Sequence, residues 1–165
     1  MEKPLITVMR AEDWPAVRAI YQEGIDTKQA TFETAVPSWS EWNAARFVDC
    51  RLVARLGDQA IGWIALNPVS RRAVYAGVAE VGIYIAEENR GQGVGRMLLE
   101  ALIKSSEEFG IWTLQASVFP ENESSVHLFK SCGFRQVGYR DRIAKHEGRW
   151  RNTLLLERRS NNVGG

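Results

Sequence analysis

The sequence lacks the features that mark several large protein classes. Its only cysteines, Cys50 and Cys132, lie in unrelated segments without metal-ligand spacing, so neither a disulfide scaffold nor a cysteine metal site is indicated. No apolar run approaches the ~20 residues that a membrane helix needs. Lys and Arg total 21 against 20 Asp and Glu, and a net charge of +1 does not suggest a nucleic-acid partner. Residues 1–10 carry no secretory signal pattern, so we expect a reduced, cytoplasmic protein that binds no membrane.

The composition is that of an ordinary globular domain. Of the 165 residues, 45% are hydrophobic and 25% are charged. A chain of this length and composition can bury a stable core without disulfides or a structural metal. We expect one domain over residues 1–160 and a disordered tail over 161–165. No internal repeat or linker divides the chain.

Hydrophobic periodicity predicts the element order β-α-α-β-β-β-α-β-α-β-β. Short turns join the early strands, which should therefore be antiparallel, while a crossover helix should make the strands at 78–85 and 113–118 parallel. The fold class is therefore α/β (α+β), a mixed, mostly antiparallel sheet with helices on both faces. The predicted strands are 5–9, 52–56, 61–66, 78–85, 113–118, 139–143 and 150–156, and the predicted helices are 13–24, 38–48, 94–109 and 122–132.

A glycine-rich segment at residues 90–95 lies between a predicted strand and a predicted helix. Gly91, Gly93 and Gly95 allow a tight turn and close approach of a ligand to the backbone, and the helix N-terminus favours an anion such as phosphate. Arg96 and Met97 follow Gly95, where a Walker loop would have Lys and then Ser or Thr. Arginine at 96 also breaks the dinucleotide fingerprint.

The spacing Arg90-x-x-Gly93-x-Gly95 resembles the pyrophosphate loop of the GNAT superfamily of N-acetyltransferases. Glu80 and Gly82 upstream, and residues 122–134 downstream, extend the resemblance over nearly the whole chain. It implies acetyl-CoA as the cofactor, no metal, and a splayed parallel strand pair with a bulge at Gly82.

Three further segments resemble the phosphinothricin and methionine sulfoximine acetyltransferase group within that superfamily: residues 30–34, 80–85 and 143–150. The resemblance implies a homodimer that acetylates the α-amine of a small amino-acid-like substrate. Strand alternation places Glu80 on the face opposite Val81 and Ile83. The resemblance implies that Glu80 is the general base. The cofactor-binding residues implied are Ile83, Tyr84, Ile85, Arg90, Gly91, Gln92, Gly93, Val94, Gly95, Arg96 and Asn122.

For the acceptor-binding side of the site, the resemblance implies fewer residues. Arg72 matches an arginine that would pair with the substrate carboxylate, and Tyr75, Phe32 and Glu33 would line the site. At the position where many GNAT proteins carry a tyrosine general acid, this chain has Phe129, which cannot donate a proton. Weaker candidates for the acid are His127 and Tyr84. A rim is expected from Lys145, His146 and Trp150.

Two alternatives stay open from the sequence. The chain could be a GNAT enzyme for another amine, such as a protein N-terminus, a polyamine or an aminoglycoside. It could instead be a non-catalytic acyl-CoA-binding sensor, although Glu80 favours an enzyme. Fold and cofactor loop say little about the acceptor.

Overall fold

The computed structural model describes residues 2–165, in which seven strands and four α-helices follow in the predicted order. The helices are α1 (Trp14–Asp26), α2 (Trp39–Ala45), α3 (Val94–Glu108) and α4 (Glu123–Ser131). The strands are β1 (Leu5–Val8), β2 (Leu52–Leu56), β3 (Gln59–Pro68), β4 (Val78–Ile85), β5 (Thr113–Val118), β6 (Arg135–His146) and β7 (Arg149–Arg159). The final hairpin is longer than the sequence predicts, because β6 and β7 pair along most of their length.

The strands form one sheet in the order β1-β2-β3-β4-β5-β7-β6. Only β4 and β5 are parallel, and every other neighbouring pair is antiparallel. The crossover through α3 explains the parallel pair, because a helical connection returns the chain to the same end of the sheet. The predicted mixed, mostly antiparallel sheet is confirmed.

Helices cover both faces of the sheet. On one face, Leu98, Leu99 and Leu102 of α3 are fully buried in the larger core cluster. Each such side chain contributes about 1.5–3 kcal/mol relative to an exposed one. On the other face, Val17 of α1 and Trp42 of α2 pack in a second cluster.

The parallel strands separate soon after they meet. Their pairing is limited to residues 78–80 against 113–115, although β4 continues to Ile85 and β5 to Val118. The register of β3 and β4 is unbroken at Gly82, which lies opposite Ala65, so the bulge expected there is wrong. The separation therefore arises because β5 diverges from β4, and it leaves one edge of residues 81–85 unpaired by any described strand.

Helix α2 ends three residues before the predicted limit at Val48. Ser38 and Glu41 form a capping box at its start. At its end, Arg46 adopts an extended conformation, and the Phe47 amide donates to the Leu66 carbonyl at 2.9 Å. The Phe47 amide thus bonds to β3 instead of continuing the helix. This contact places the preceding residue, Arg46, beside β3. Helix α1 instead extends two residues beyond Gly24, to Asp26.

The last residues, for which the sequence predicts disorder, make hydrogen bonds with the end of β7. The Arg159 guanidinium donates to the carbonyl oxygens of Val163 and Gly164. The Asn162 amide donates to Ser160 Oγ at 3.0 Å.

Candidate active site

Two adjoining cavities lie where β4 and β5 separate. The first, called here the strand cavity, has a volume of about 360 Å³ and contains Glu80. The second, the loop cavity, has a volume of about 380 Å³ and contains the glycine segment. Both are lined by the same five residues, Ala30, Ile83, Tyr84, Asn122 and Ser125.

The glycine segment forms the wall of the loop cavity through its backbone. Gly91 and Gly93 have φ values of 74° and 83°, in the left-handed region that other residues rarely adopt. Gly93 precedes the first turn of α3, whose amides have no partner within the helix. Gly95 has a different role, because an added Cβ would lie 3.1 Å from the Leu128 side chain, a tight contact between α3 and α4. The segment is therefore built to present backbone donors to an anion.

The neighbouring side chains divide into two groups. Arg90 lines the loop cavity, and its Nε donates to the Ile85 carbonyl at 3.2 Å, which anchors the loop to β4. Gln92 and Arg96 do not line either cavity. Gln92 instead bonds to the Glu88 carbonyl, and Arg96 pairs with Glu100 at 2.7 Å. Their predicted contacts with a cofactor stay predictions.

The unpaired edge of β4 runs from the strand cavity into the loop cavity. Ile83 and Ile85 turn their side chains into the larger core cluster, and Tyr84 turns toward α1. All three line the loop cavity, as the glycine segment does. An extended ligand lying along this edge could pair with the backbone as an added strand does.

Glu80 lies at the point where the parallel strands part. Its Oε1 accepts hydrogen bonds from Gln115 Nε2 at 3.0 Å and from Ser117 Oγ at 3.4 Å. No side chain or amide among residues 2–165 donates to Oε2. Two side chains of β5 thus hold the Glu80 carboxylate through one oxygen, and Glu80 lines the strand cavity.

A segment between α1 and α2 closes the strand cavity. Phe32 and Glu33 line it, as the sequence predicts, and Phe32 packs edge-to-face on Phe119 with ring centroids 4.9 Å apart. The segment is tied down by Arg151, which donates to the Lys28 carbonyl at 3.0 Å. Asn122 both caps α4 and donates to the Gln29 carbonyl at 3.2 Å.

Arg72 and Tyr75 are not brought to either cavity. Both are exposed near a short 3₁₀ turn, where the Arg72 guanidinium lies 5.6 Å from the Tyr75 ring centre. Of the predicted rim residues, His146 is buried and packs 6.1 Å from Phe32, while Trp150 is exposed over Lys145.

Comparison with known proteins decides the family. A profile of the acetyltransferase (GNAT) family matches residues 11–134, three quarters of the chain. The chain belongs to the GNAT acetyltransferase family. It is accordingly an N-acetyltransferase that takes its acetyl group from acetyl-CoA.

The similar proteins extend this assignment. A phosphinothricin N-acetyltransferase of Alcaligenes faecalis is 36% identical over 93% of this chain and 81% of that protein. The solved structure of a ribosomal-protein-alanine N-acetyltransferase from Brucella melitensis has a TM-score of 0.87 and 27% identity, over 94% of this chain and 99% of that one. A Sinorhizobium meliloti phosphinothricin acetyltransferase in complex with AcCoA has the same TM-score at 24% identity, over 98% of this chain and 90% of that one, and shares the fold.

Phe129 occupies the position at which the family resemblance implies a tyrosine acid. Phe129 is buried against Phe134, with ring centroids 5.0 Å apart, and lines the strand cavity without a hydroxyl group. His127 is exposed on α4 and lines neither cavity. Tyr84, by contrast, lines both. Burial among Tyr21 and Trp63 raises the pKa of Tyr84, so its phenol stays neutral near pH 7.

Sequence reasoning missed several polar residues of the strand cavity, among them two from separate elements. Arg46, at the end of α2, and Thr153, buried on β7, both line it. No local pattern marks either residue, because each reaches the cavity only when the sheet and α2 are assembled. Within residues 2–165, no group of three or more His, Cys, Asp or Glu is arranged to hold a metal ion. The described helices include none with the length and apolar character to cross a membrane.

Proposed function

We propose that this acetyltransferase acts on the primary α-amine of a small amino-acid-like substrate of the phosphinothricin, methionine sulfoximine or methionine sulfone type. The observation that carries the proposal is Glu80, which lines a cavity that adjoins the glycine loop and whose Oε1 alone accepts hydrogen bonds from the described chain. Membership of the family identifies acetyl-CoA as the acetyl donor. The strand cavity, with about 360 Å³, has room for a small acceptor.

The loop cavity is the proposed acetyl-CoA site. The backbone of Gly91 and Gly93 and the start of α3 would hold the pyrophosphate, and the unpaired edge at Ile83–Ile85 would pair with the pantetheine arm. Asn122 lines both cavities and would lie near the reacting end of the cofactor.

In the proposed reaction, the neutral α-amine attacks the thioester carbonyl carbon. A C–N bond forms, the C–S bond breaks, and Glu80 accepts the proton that the nitrogen loses, directly or through one water molecule. The base is useful because an α-ammonium group is mostly protonated at neutral pH. A thiol with a pKa near ~8.5 is a tolerable leaving group, so the step proceeds without a tyrosine at position 129.

A protein N-terminus is the second candidate acceptor. The likeness to the Brucella ribosomal-protein-alanine N-acetyltransferase favours it, since that structure is also 27% identical to this chain. A polypeptide would need room beyond the strand cavity, whereas a single amino acid would not.

We infer that the enzyme is a homodimer in the cytoplasm. The hairpin of β6 and β7 forms one border of the sheet and exposes Tyr139, Ile143 and Trp150. Exposed apolar side chains on the strands at a sheet edge favour contact with a second copy. Cys50 and Cys132 are both free, which suits a reducing compartment. Sedimentation velocity would show a monomer if this assembly is wrong.

The proposal is tested by measuring thiol release from acetyl-CoA with phosphinothricin, methionine sulfoximine, methionine sulfone, spermidine and an alanine-terminal peptide. We expect the highest kcat/KM with one of the three amino-acid analogues. A higher value with the peptide or spermidine would contradict the acceptor class. Tight CoA binding without turnover of any amine would instead indicate an acyl-CoA sensor.

A further inference from the structure

Three arginine guanidinium groups are at least half-buried near the first strands and α2, and one of them lacks adequate partners. Arg55 is paired with Asp13 at 2.6 Å and also bonds to Thr7. Arg51 donates to Asn43 and to main-chain oxygens, including that of Phe47 at 2.7 Å. Arg46 makes a single hydrogen bond, to the Trp42 carbonyl at 3.3 Å.

The surroundings of Arg46 make this shortage costly. Its guanidinium carbon lies 4.5 Å from the Trp42 ring centre and 5.7 Å from that of Trp63. Its Nε is buried without a hydrogen-bond partner, and no carboxylate of the described chain lies within 4.0 Å. Burial lowers the pKa of Arg46, and the neighbouring Tyr21 and Glu33 oppose this effect without reversing it. A buried charge without a partner is unfavourable unless a ligand supplies one.

The fold holds Arg46 close to the candidate base. The carbonyl of the preceding residue, Ala45, accepts a hydrogen bond from Asn67 Nδ2 at 3.0 Å. Asn67 lies directly opposite Glu80 in the register of β3 and β4, so their side chains are on the same sheet face. Arg46 and Glu80 both line the strand cavity.

We propose that Arg46 binds the α-carboxylate of the acceptor and makes the enzyme prefer amino acids over simple amines. The inference rests on the proposed function and names the residue that selects the acceptor. A guanidinium group can bind a carboxylate through two parallel hydrogen bonds. With the carboxylate at Arg46, the α-amine of the same molecule is directed toward Glu80.

This assignment differs from the one that family resemblance implies for Arg72. Arg72 is exposed and lies outside both cavities. In a single subunit the exposed Arg72 guanidinium is well hydrated, so pairing with a carboxylate gains little there. Arg46 is already desolvated and preorganised by stacking on Trp42, which favours anion binding.

The test compares methionine sulfone with its carboxamide and with the amine that lacks the carboxylate. We expect Arg46→Met to lower kcat/KM for methionine sulfone roughly 10- to 100-fold, mainly through KM, because a hydrogen bond to a charged group is lost. The two uncharged analogues should change much less, so the preference for the carboxylate disappears. Arg71→Met, which removes an exposed neighbouring charge, should leave all three substrates unchanged.

Two results would overturn the proposal. One is an Arg46→Met enzyme that keeps the preference for methionine sulfone over its carboxamide. The other is an Arg72→Met enzyme that loses it while Arg46→Met does not. Thermal unfolding and acetyl-CoA binding of Arg46→Met confirm that the variant is folded.

A binding measurement separates this inference from the proposed function. Calorimetric titration of methionine sulfone into the CoA complex reports Arg46 even when no acetyl transfer occurs. Weaker binding by Arg46→Met in an enzyme without turnover would support the anion site and contradict the proposed reaction. Turnover of methionine sulfone and its carboxamide at equal kcat/KM by the unmodified enzyme would contradict the anion site alone.

Discussion

The loop cavity and the strand cavity have nearly the same volume, about 380 and 360 Å³, but they are built from different materials. The loop cavity depends on the backbone of one continuous segment, residues 90–95, and on the free edge of β4. The strand cavity depends on side chains from separate elements, among them Glu80, Arg46 and Phe32. The first should therefore be sensitive to backbone conformation, and the second to side-chain chemistry.

The largest expected effect is on the strand cavity. Glu80→Gln keeps the shape of the side chain but removes the base, so we expect kcat to fall roughly 10²- to 10⁴-fold. The loss should be greatest at low pH, where the amine is most fully protonated and most needs a base. Thiol-release rates from pH 6 to 9 measure this, with Glu108→Gln, an exposed glutamate, as the matched control. A loss of acetyl-CoA affinity in Glu80→Gln would contradict the assignment of acetyl-CoA binding to the loop cavity alone.

A backbone change should affect the loop cavity selectively. Gly93 has a φ of 83°, so Gly93→Ala strains the loop by about 1–2 kcal/mol and should raise the Kd for acetyl-CoA roughly 10-fold. Gly57 has a φ of 58° in a turn remote from both cavities, and Gly57→Ala controls for the same strain. Calorimetric binding should show weakening for Gly93→Ala only. Equal weakening by both variants would indicate a general loss of stability.

The smallest effect is expected where the two cavities meet. Because thiolate is a tolerable leaving group, Tyr84→Phe should lower kcat less than about 10-fold. Burial raises the pKa of Tyr84 above its ordinary value, so the phenol stays protonated between pH 8 and 9. Activity of the unmodified enzyme should therefore show no loss between pH 8 and 9 from ionisation of this group. A larger loss in Tyr84→Phe would assign Tyr84 as the acid that replaces the missing tyrosine at 129.

The same contrast explains what the sequence could predict. The glycine loop follows from a local pattern, because its turn glycines lie close together in the sequence. The separation of β4 and β5 was expected from the family resemblance, and its origin in the divergence of β5 is visible only in the assembled sheet. The order of all eleven elements is likewise predictable from periodicity. Glu80 could be placed on the correct face from alternation alone.

The acceptor side was harder because it depends on tertiary assembly. In the sequence, Arg46 is an ordinary residue at a predicted helix position. Its place beside the sheet depends on the hydrogen bond from the Phe47 amide to β3. The sequence predicts that helix α2 runs through Val48, and this prediction leaves Arg46 inside the helix instead of in the extended conformation that it adopts. Arg72 was assigned from resemblance, and the structure places it outside both cavities.

The most direct test of the account is to follow the acetyl group itself. The enzyme is incubated with acetyl-CoA carrying a ¹³C-labelled acetyl group and with methionine sulfone, and the products are identified by NMR. The account predicts that the label appears as an amide on the α-nitrogen of methionine sulfone. Label that remains in acetyl-CoA, or is recovered only as free acetate, would contradict it.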